Sequence, residues 1–339
     1  MGFWKGVQVM VDIYGFYKKI PGGSLLIPMF FVAIINTIFP NLFTTLGSVS
    51  MATFKTGSLA FAGIILLFTG AGIKVNTLPT VIKRCGVLTV VKFAIAFVFG
   101  FGFVRLFGVE GPLGITAVAF VTCFCAANPG VFMGLAQDYG EPADMGNFVM
   151  MNIVSMPCWP LLILATAAGL AFNWMDVISV FVPFIVGMIC GNIDPNFNKI
   201  VGPATGAVMP VLGCCFGASL NLVTAAKAGL AGIVLTLVFL VINVSIMLAA
   251  DKWINRRPGY AAVAWCSVAG IAMTVPAMLT DMEEYAATLP AASAQIGLCL
   301  ILSSIVTPFI TKWVVDLWGS PKVPSKKERE RLAAEGAQE

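Results

Sequence analysis

The chain has 339 residues, 59% of them hydrophobic and only 11% charged, with a formal net charge of +4 and a mean hydropathy of +0.94. A soluble domain carries about 25% charged residues, so the surplus apolar surface is expected to face lipid in an all-α membrane protein. There is no histidine, which excludes His-containing zinc sites and Ser-His-Asp or Cys-His catalysis. No basic run interleaved with aromatics points to nucleic acid.

Residues 1–23 carry Asp12, Lys18 and Lys19 and no long apolar core, so they read as a cytoplasmic N-terminal segment and not as a signal peptide. Ten apolar stretches follow, at about 24–40, 57–73, 85–107, 112–136, 146–172, 176–192, 203–222, 229–250, 259–280 and 289–316. Most approach the roughly 20 residues that cross a bilayer. Residues 317–339 form a charged tail whose Lys-Lys-Glu-Arg-Glu-Arg run reads as a solvated helix. The nine cysteines lie in or beside the apolar stretches and form no Cys-x-x-Cys pair; they read as reduced packing residues.

Lysine and arginine cluster in alternate connections. Lys18 and Lys19 precede span 1, Lys74, Lys83 and Arg84 lie between spans 2 and 3, Lys252, Arg256 and Arg257 between spans 8 and 9, and Lys322 to Arg331 follow span 10. The opposite connections hold only Lys55, Arg105 and Lys227. By the positive-inside rule both termini are cytoplasmic.

The two halves repeat one order of features. Pro28, Pro40, Gly70 and Gly114 recur as Pro183, Pro195, Gly217 and Gly259, at offsets of 155, 155, 147 and 145 residues. The repeats are 24–172 and 176–316. Five spans per repeat is an odd number, so the copies insert with opposite orientation. An inverted 5+5 repeat in an apolar chain points to a secondary transporter with its substrate site where the halves meet.

The candidate residues follow chain order. Lys74 ends span 2 in Gly70-Ala-Gly-Ile-Lys74-Val75 and either attracts an anion or snorkels to the interface. Lys92 lies deep in span 3, where an unpaired charge is costly. Span 4 carries Asn128-Pro129-Gly130. Pro129 removes a donor and breaks the helix, and the freed amides of a half-helix suit a carboxylate; a packing kink is the plainer reading. Asn152, with Asn147 and Ser155, lends span 5 a polar side. Asn221 is the repeat mate of Lys74. Span 9 holds Ser267, Gly270, Thr274 and Pro276, the same ingredients as span 4, so two broken helices are expected to cross with Asn128, Gly130, Ser267 and Thr274 around one cavity and Pro129 and Pro276 as the helix breakers. Asp281, just past span 9, is the best carboxylate for ion coupling, or else a solvated loop charge. The tryptophans near span ends read as interfacial anchors, with Trp265 the one best placed to stack on a solute instead.

Lys19-Ile20-Pro21-Gly22-Gly23, the Gly-Ala-Gly-Ile-Lys74 motif and Asn192-Ile193-Asp194-Pro195 resemble the bacterial 2-keto-3-deoxygluconate permease family from about Lys18 to Thr311. The resemblance implies an inner-membrane, ten-span protein of bile-acid/sodium symporter type. It implies a panel of spans 1, 2, 6 and 7, a core of spans 3–5 and 8–10, and proton symport of a sugar acid. Where the family carries acids, this chain has Cys125, Val154 and Asn221, and the family's Asn-Gly-Gly is Asn128-Pro129-Gly130 here. The partners expected are therefore a small sugar acid or other organic anion, a proton or sodium ion or no coupling ion, and the lipid bilayer, with no cofactor and no metal; a homodimer stays open. A membrane sensor is the alternative of another class, and an enzyme is not expected.

Overall fold

Long apolar runs leave the backbone no water to bond to, and a helix satisfies every peptide group within its own segment. The computed structural model describes residues 23–169, 174–219, 222–223 and 229–336. Among them the regular structure is helical, with one isolated antiparallel bridge, Glu110 to Thr116. In chain order the helices are α1 (Gly23–Ile38), α2 (Leu42–Leu46), α3 (Ser48–Phe54), α4 (Ser58–Ala71), α5 (Leu78–Phe107), α6 (Ala117–Cys125), α7 (Pro129–Tyr139), α8 (Asn147–Val154) and α9 (Cys158–Ala168). Then come α10 (Trp174–Ile193), α11 (Pro195–Ser219), α12 (Gly229–Trp253), α13 (Tyr260–Ala264), α14 (Val275–Met278), α15 (Glu283–Ala286), α16 (Leu289–Trp318) and α17 (Lys326–Gly336).

Five stretches among the described residues are long and apolar enough to cross a membrane: Val81–Phe107, Ala117–Ala136, Asn147–Ala168, Gly229–Trp253 and Leu289–Trp318. The pair α3 and α4, bent by 54°, passes the same test of length and composition taken together, as a broken span or a re-entrant loop does. Val90, Val98, Val241 and Phe309 are exposed on the outer faces of α5, α12 and α16, which is the lipid-facing pattern of a multi-pass membrane protein.

Some boundaries differ from the apolar windows. Helix α5 begins at Leu78, not near residue 85, because Lys83 and Arg84 end the hydropathy signal without ending the helix. Arg84 Nε donates to Asp144 Oδ1 at 3.0 Å. Helix α11 starts at Pro195, ahead of the expected 203. Span 5 is interrupted between Val154 and Cys158, where Pro157 offers no N–H. Residues 1–22 and Asn221 lie outside the described residues.

The helices pack in two groups. One contains α1, α4, α10 and α11, with α1 against α11 and α4 against α10 as its closest seams. The other gathers α5 to α9, α12, α13 and α16. The first group has almost no room at its seams. A Cβ on Gly70 would sit 2.1 Å from Phe184 O, and one on Gly217 would sit 2.3 Å from Met29 O. Small residues at such seams let backbones touch where lipid offers no hydrophobic drive to associate. These two contacts are one contact made twice: Gly217 lies 147 residues after Gly70, and Phe184 lies 155 after Met29.

A hydrogen-bond pattern repeats at the same offsets. Thr37 Oγ1 donates to Ala33 O at 2.6 Å and accepts from Leu222 N at 2.9 Å. Asn192 Nδ2 donates to Met188 O at 2.7 Å, and its Oδ1 accepts from Val75 N at 3.0 Å. Asn192 lies 155 residues after Thr37, and Leu222 lies 147 after Val75.

The second group is tied at one end by Asp144, which is fully buried. Its carboxylate accepts from Arg84, from Glu141 N and from Tyr260 Oη at 2.5 Å. Arg257 Nη1 reaches Arg84 O at 3.1 Å. One buried acid thus joins the start of α5, the turn before α8 and the start of α13.

Candidate functional site

The chain between α6 and α7 leaves the helix at Ala126, whose ψ is 147°, and re-enters it at Pro129. Proline is suited to the first helical position because its missing N–H would be unpaired there anyway. Asn128 is the N-cap: its Oδ1 accepts from Gly130 N at 3.0 Å and Val131 N at 3.3 Å. Phe132 N bonds Asn128 O at 3.1 Å. The half-helix end expected to offer free amides to a carboxylate is therefore closed by the chain's own asparagine. A solute that used those amides would have to displace the Asn128 side chain.

The second interruption lies between Ala264 and Gly270. Helix α13 stops at Trp265, Ala269 is extended, and a 3-10 turn over Gly270–Thr274 leads into α14. The expected breaker, Pro276, sits in the first turn of α14 and so belongs to the restart of the helix; the interruption itself falls upstream, on residues with no proline.

Each interruption is held by a serine from further along the same half, Ser155 at the C-cap of α8 and Ser303 within α16. Ser155 Oγ accepts from Ala127 N at 2.9 Å and donates to Ala127 O at 2.6 Å. Ser303 Oγ accepts from Val268 N at 3.0 Å, and Thr307 Oγ1 donates to Cys266 O at 2.6 Å. The two interruptions touch directly: Asn128 Nδ2 donates to Val268 O at 3.2 Å.

A cavity of about 310 Å³ opens beside that contact, within the ~300–1,000 Å³ range of small-molecule pockets. The first helix group supplies Leu25, Ile65, Leu66, Thr69, Gly206 and Met209. The second supplies Asn128, Pro129, Gly130, Phe148, Asn152, Ser155 and the turn at Ala269–Ile271. No charged side chain lines it among the described residues. Its polar groups are the amides of Asn128 and Asn152 and the hydroxyls of Thr69 and Ser155, which suit the hydroxyls of a polyol. Half-helix α7 turns its positive end toward the cavity.

The expected site residues separate on this geometry. Asn128, Pro129, Gly130 and Asn152 line the cavity together. Ser267 and Thr274 are fully buried behind it; Thr274 Oγ1 donates to Ile271 O at 2.7 Å, and Ser267 Oγ has no partner among the described residues. Lys74 is exposed beyond the end of α4 and Asp281 is exposed between α14 and α15, both outside the lining. Asn221 cannot be placed, as it falls outside the described residues. Trp265 is fully buried, with Nε1 donating to Asn147 Oδ1 at 2.9 Å, so it presents no face to a solute. Sequence reasoning missed Thr69, Ser303 and Thr307. The row Ser303, Thr307, Thr311 at four-residue spacing along an apolar helix was the available sign of a polar stripe.

A family model described as 2-keto-3-deoxygluconate permease matches residues 15–318. The chain is 30% identical over 298 residues to 2-keto-3-deoxygluconate permease 1 of Salmonella typhimurium, covering 88% of this chain and 93% of that one. It is 30% identical over 300 residues to the 2-keto-3-deoxygluconate permease of Xanthomonas euvesicatoria pv. vesicatoria, covering 87% and 94%. The Escherichia coli O139:H28 permease is also 30% identical over 300 residues, covering 87% and 91%.

Proposed function

The chain belongs to the 2-keto-3-deoxygluconate permease family and is a membrane transporter, not an enzyme, and from that premise we propose that it carries 2-keto-3-deoxygluconate, or a close sugar acid, by alternating access through the cavity beside Asn128. The observation that carries this reading is the position of the cavity. It lies between two helix groups and against two interrupted helices tied by Asn128 and Val268. Interrupted backbone inside a membrane is tolerated where it is buried in protein or lines a cavity, and it supplies the dipoles that bind solutes in transporters.

Ten spans in two inverted repeats, of the bile-acid/sodium symporter type, complete the proposal. The domains are 24–172 and 176–316, flanked by the segments 1–23 and 317–339. The repeated contacts of Gly70 and Gly217, of Thr37 and Asn192, and of Ser155 and Ser303 support it. Helices α1, α4, α10 and α11 then form the panel, and the remainder moves against it as the core. Asn128, Gly130 and Asn152 hold the solute. Ser267 and Thr274 shape the interruption behind it, and Lys74 attracts the anion at the cytoplasmic mouth. The lysine and arginine distribution supports cytoplasmic termini in a bacterial inner membrane.

Proton symport is the coupling the family resemblance implies. A sodium-driven or uncoupled cycle for an organic anion is the second reading, favoured by a cavity lined by no carboxylate among the described residues. Asp281 gains no support as the coupling group from its exposed placement. Uptake of labelled 2-keto-3-deoxygluconate into proteoliposomes, with proton or sodium gradients imposed separately, tests both. Absence of saturable uptake under every gradient rejects the solute, and uptake that follows sodium and ignores pH selects the second reading.

A further inference from the structure

A second cavity, of about 510 Å³, lies toward the ends of helices that also line the first. Its walls are the start of α4, the end of α11, helix α14 and the start of α16. Along those same helices the first cavity lies deeper. Leu59 lines the second cavity and Ile65 the first; Phe216 and Met209 divide likewise, as do Ser293 and Leu300. Six or seven helical residues at 1.5 Å each set these paired lining residues about 10 Å apart along the helices, while Ile271 of the first lining and Met273 of the second are only two residues apart.

The chemistry of this second cavity differs from that of the first. Lys55 lines it, together with the hydroxyl-bearing Thr56, Ser58, Thr280 and Ser293, and no carboxylate does among the described residues. Lys55 Nζ spends one donor on Thr44 Oγ1 at 2.8 Å, and an ammonium has three. Thr280 Oγ1 donates to Ala277 O at 3.3 Å, so its lone pairs remain able to accept. One cation beside a group of hydroxyls matches a molecule with one carboxylate and several hydroxyls. Asp281, exposed next to Thr280 and outside the lining, disfavours a polyanion.

We propose that the cavity around Lys55 is an outer docking site that captures a polyhydroxylated monocarboxylate by its carboxylate before it passes to the cavity beside Asn128. The inference rests on the proposed function for its direction: with cytoplasmic termini, Lys55 stands on the outer side. Lys55 anchors the carboxylate, the hydroxyls accept from the solute's own hydroxyl groups, and Phe216 and Met273 supply the apolar part of the wall.

The test is a labelling experiment that needs no turnover. Ser293→Cys is introduced in the full-length chain, and its reaction with a membrane-impermeant maleimide applied from outside is followed above the background of the native cysteines. Thr280→Cys serves as a second reporter should the first variant fail to fold. Gluconate and 2-keto-3-deoxygluconate are expected to slow the labelling, Lys55→Gln to raise the protecting concentration at least about tenfold, as loss of a charge-assisted contact does, and Lys55→Arg to preserve most of the protection. Reporters that are not labelled from outside, that are unaffected by either acid, or that are protected equally after Lys55→Gln would each overturn the proposal. Absence of protection in a chain that does take up 2-keto-3-deoxygluconate removes the docking site and leaves the transport function standing. Protection in a chain that takes up none does the reverse.

Discussion

Lys92 of α5 donates a 2.7 Å hydrogen bond to Oδ1 of Asn243 in α12, and neither residue has solvent exposure. The ammonium also lies over the ring of Phe239, 4.9 Å from its centroid, and Phe239 meets Phe124 in α6 edge-on. An ionisable group held at this depth is expensive, and its neighbours set the cost. Asn243 keeps its own amide satisfied by donating to Phe239 O at 2.9 Å.

Removing only one partner of that pair is expected to destabilise more than removing both. Asn243→Leu strands a buried charge, a loss of about 1–3 kcal/mol or more, and Lys92→Met in the same chain recovers most of it. Unfolding of the two single variants and the double variant in detergent measures the coupling. Additive losses would show that the pair is not energetically linked.

Asn128 performs two tasks, and two substitutions separate them. Asn128→Asp keeps an acceptor for Gly130 and Val131 and loses the donor to Val268. Asn128→Ala loses both, including a cap worth about 1 kcal/mol. The aspartate variant is expected to retain most of the thermal stability and to lose transport, while alanine lowers both. Stability curves and initial uptake rates distinguish these outcomes, and full uptake by either variant removes Asn128 from the solute site.

Gly70→Ala and Gly217→Ala place a methyl group almost onto a carbonyl oxygen and are expected to cost similar amounts, about 1–3 kcal/mol each. Gly63→Ala is the control, because nothing lies within 4 Å of its Cβ position. A tolerated Gly217→Ala beside a damaging Gly70→Ala would break the equivalence of the two seams. Relative melting temperatures of the three variants decide it.

Ser155→Ala and Ser303→Ala each leave a buried backbone N–H without its acceptor, costing about 1–3 kcal/mol. Both are expected to slow uptake, and Ser→Thr at either position is expected to keep more activity than alanine. Transport unaffected by both alanine variants would mean that the interruptions are held by other contacts.

The interruption at Asn128 was legible in the sequence because its cause is local. Asparagine, proline and glycine in one apolar run dictate an N-cap and a restart. The interruption at 266–269 was misplaced onto Pro276 because its cause is not local. Cys266, Ser267, Val268 and Ala269 carry no breaker, and their non-helical backbone is held by hydroxyls from α16, more than thirty residues downstream. Lys92 was visible as a buried cation, but its neutral partner sits in another helix of the other half. Hydropathy located the apolar segments and could not say which of their faces meet, so Thr69 and Met209 on the opposite wall of the cavity left no trace. Of the two glycines in the motif that ends span 2, Gly70 makes a close helix approach, whereas the nearest atom to a Cβ on Gly72 is Thr69 O of the preceding helical turn, at 3.4 Å.

The serine caps bear on biogenesis. Ser155 serves the interruption that precedes it in the same half, and Ser303 does the same in the other half. Each half can thus leave the insertion machinery with the backbone at its own helix interruption already held by a serine of that half. At the interruption in the first half, the amide of Asn128 has to wait for the later half to arrive, as do Gly114 O and Thr116 N, which bond Gln295; the Asn128 to Val268 bond is thus a marker of completed assembly.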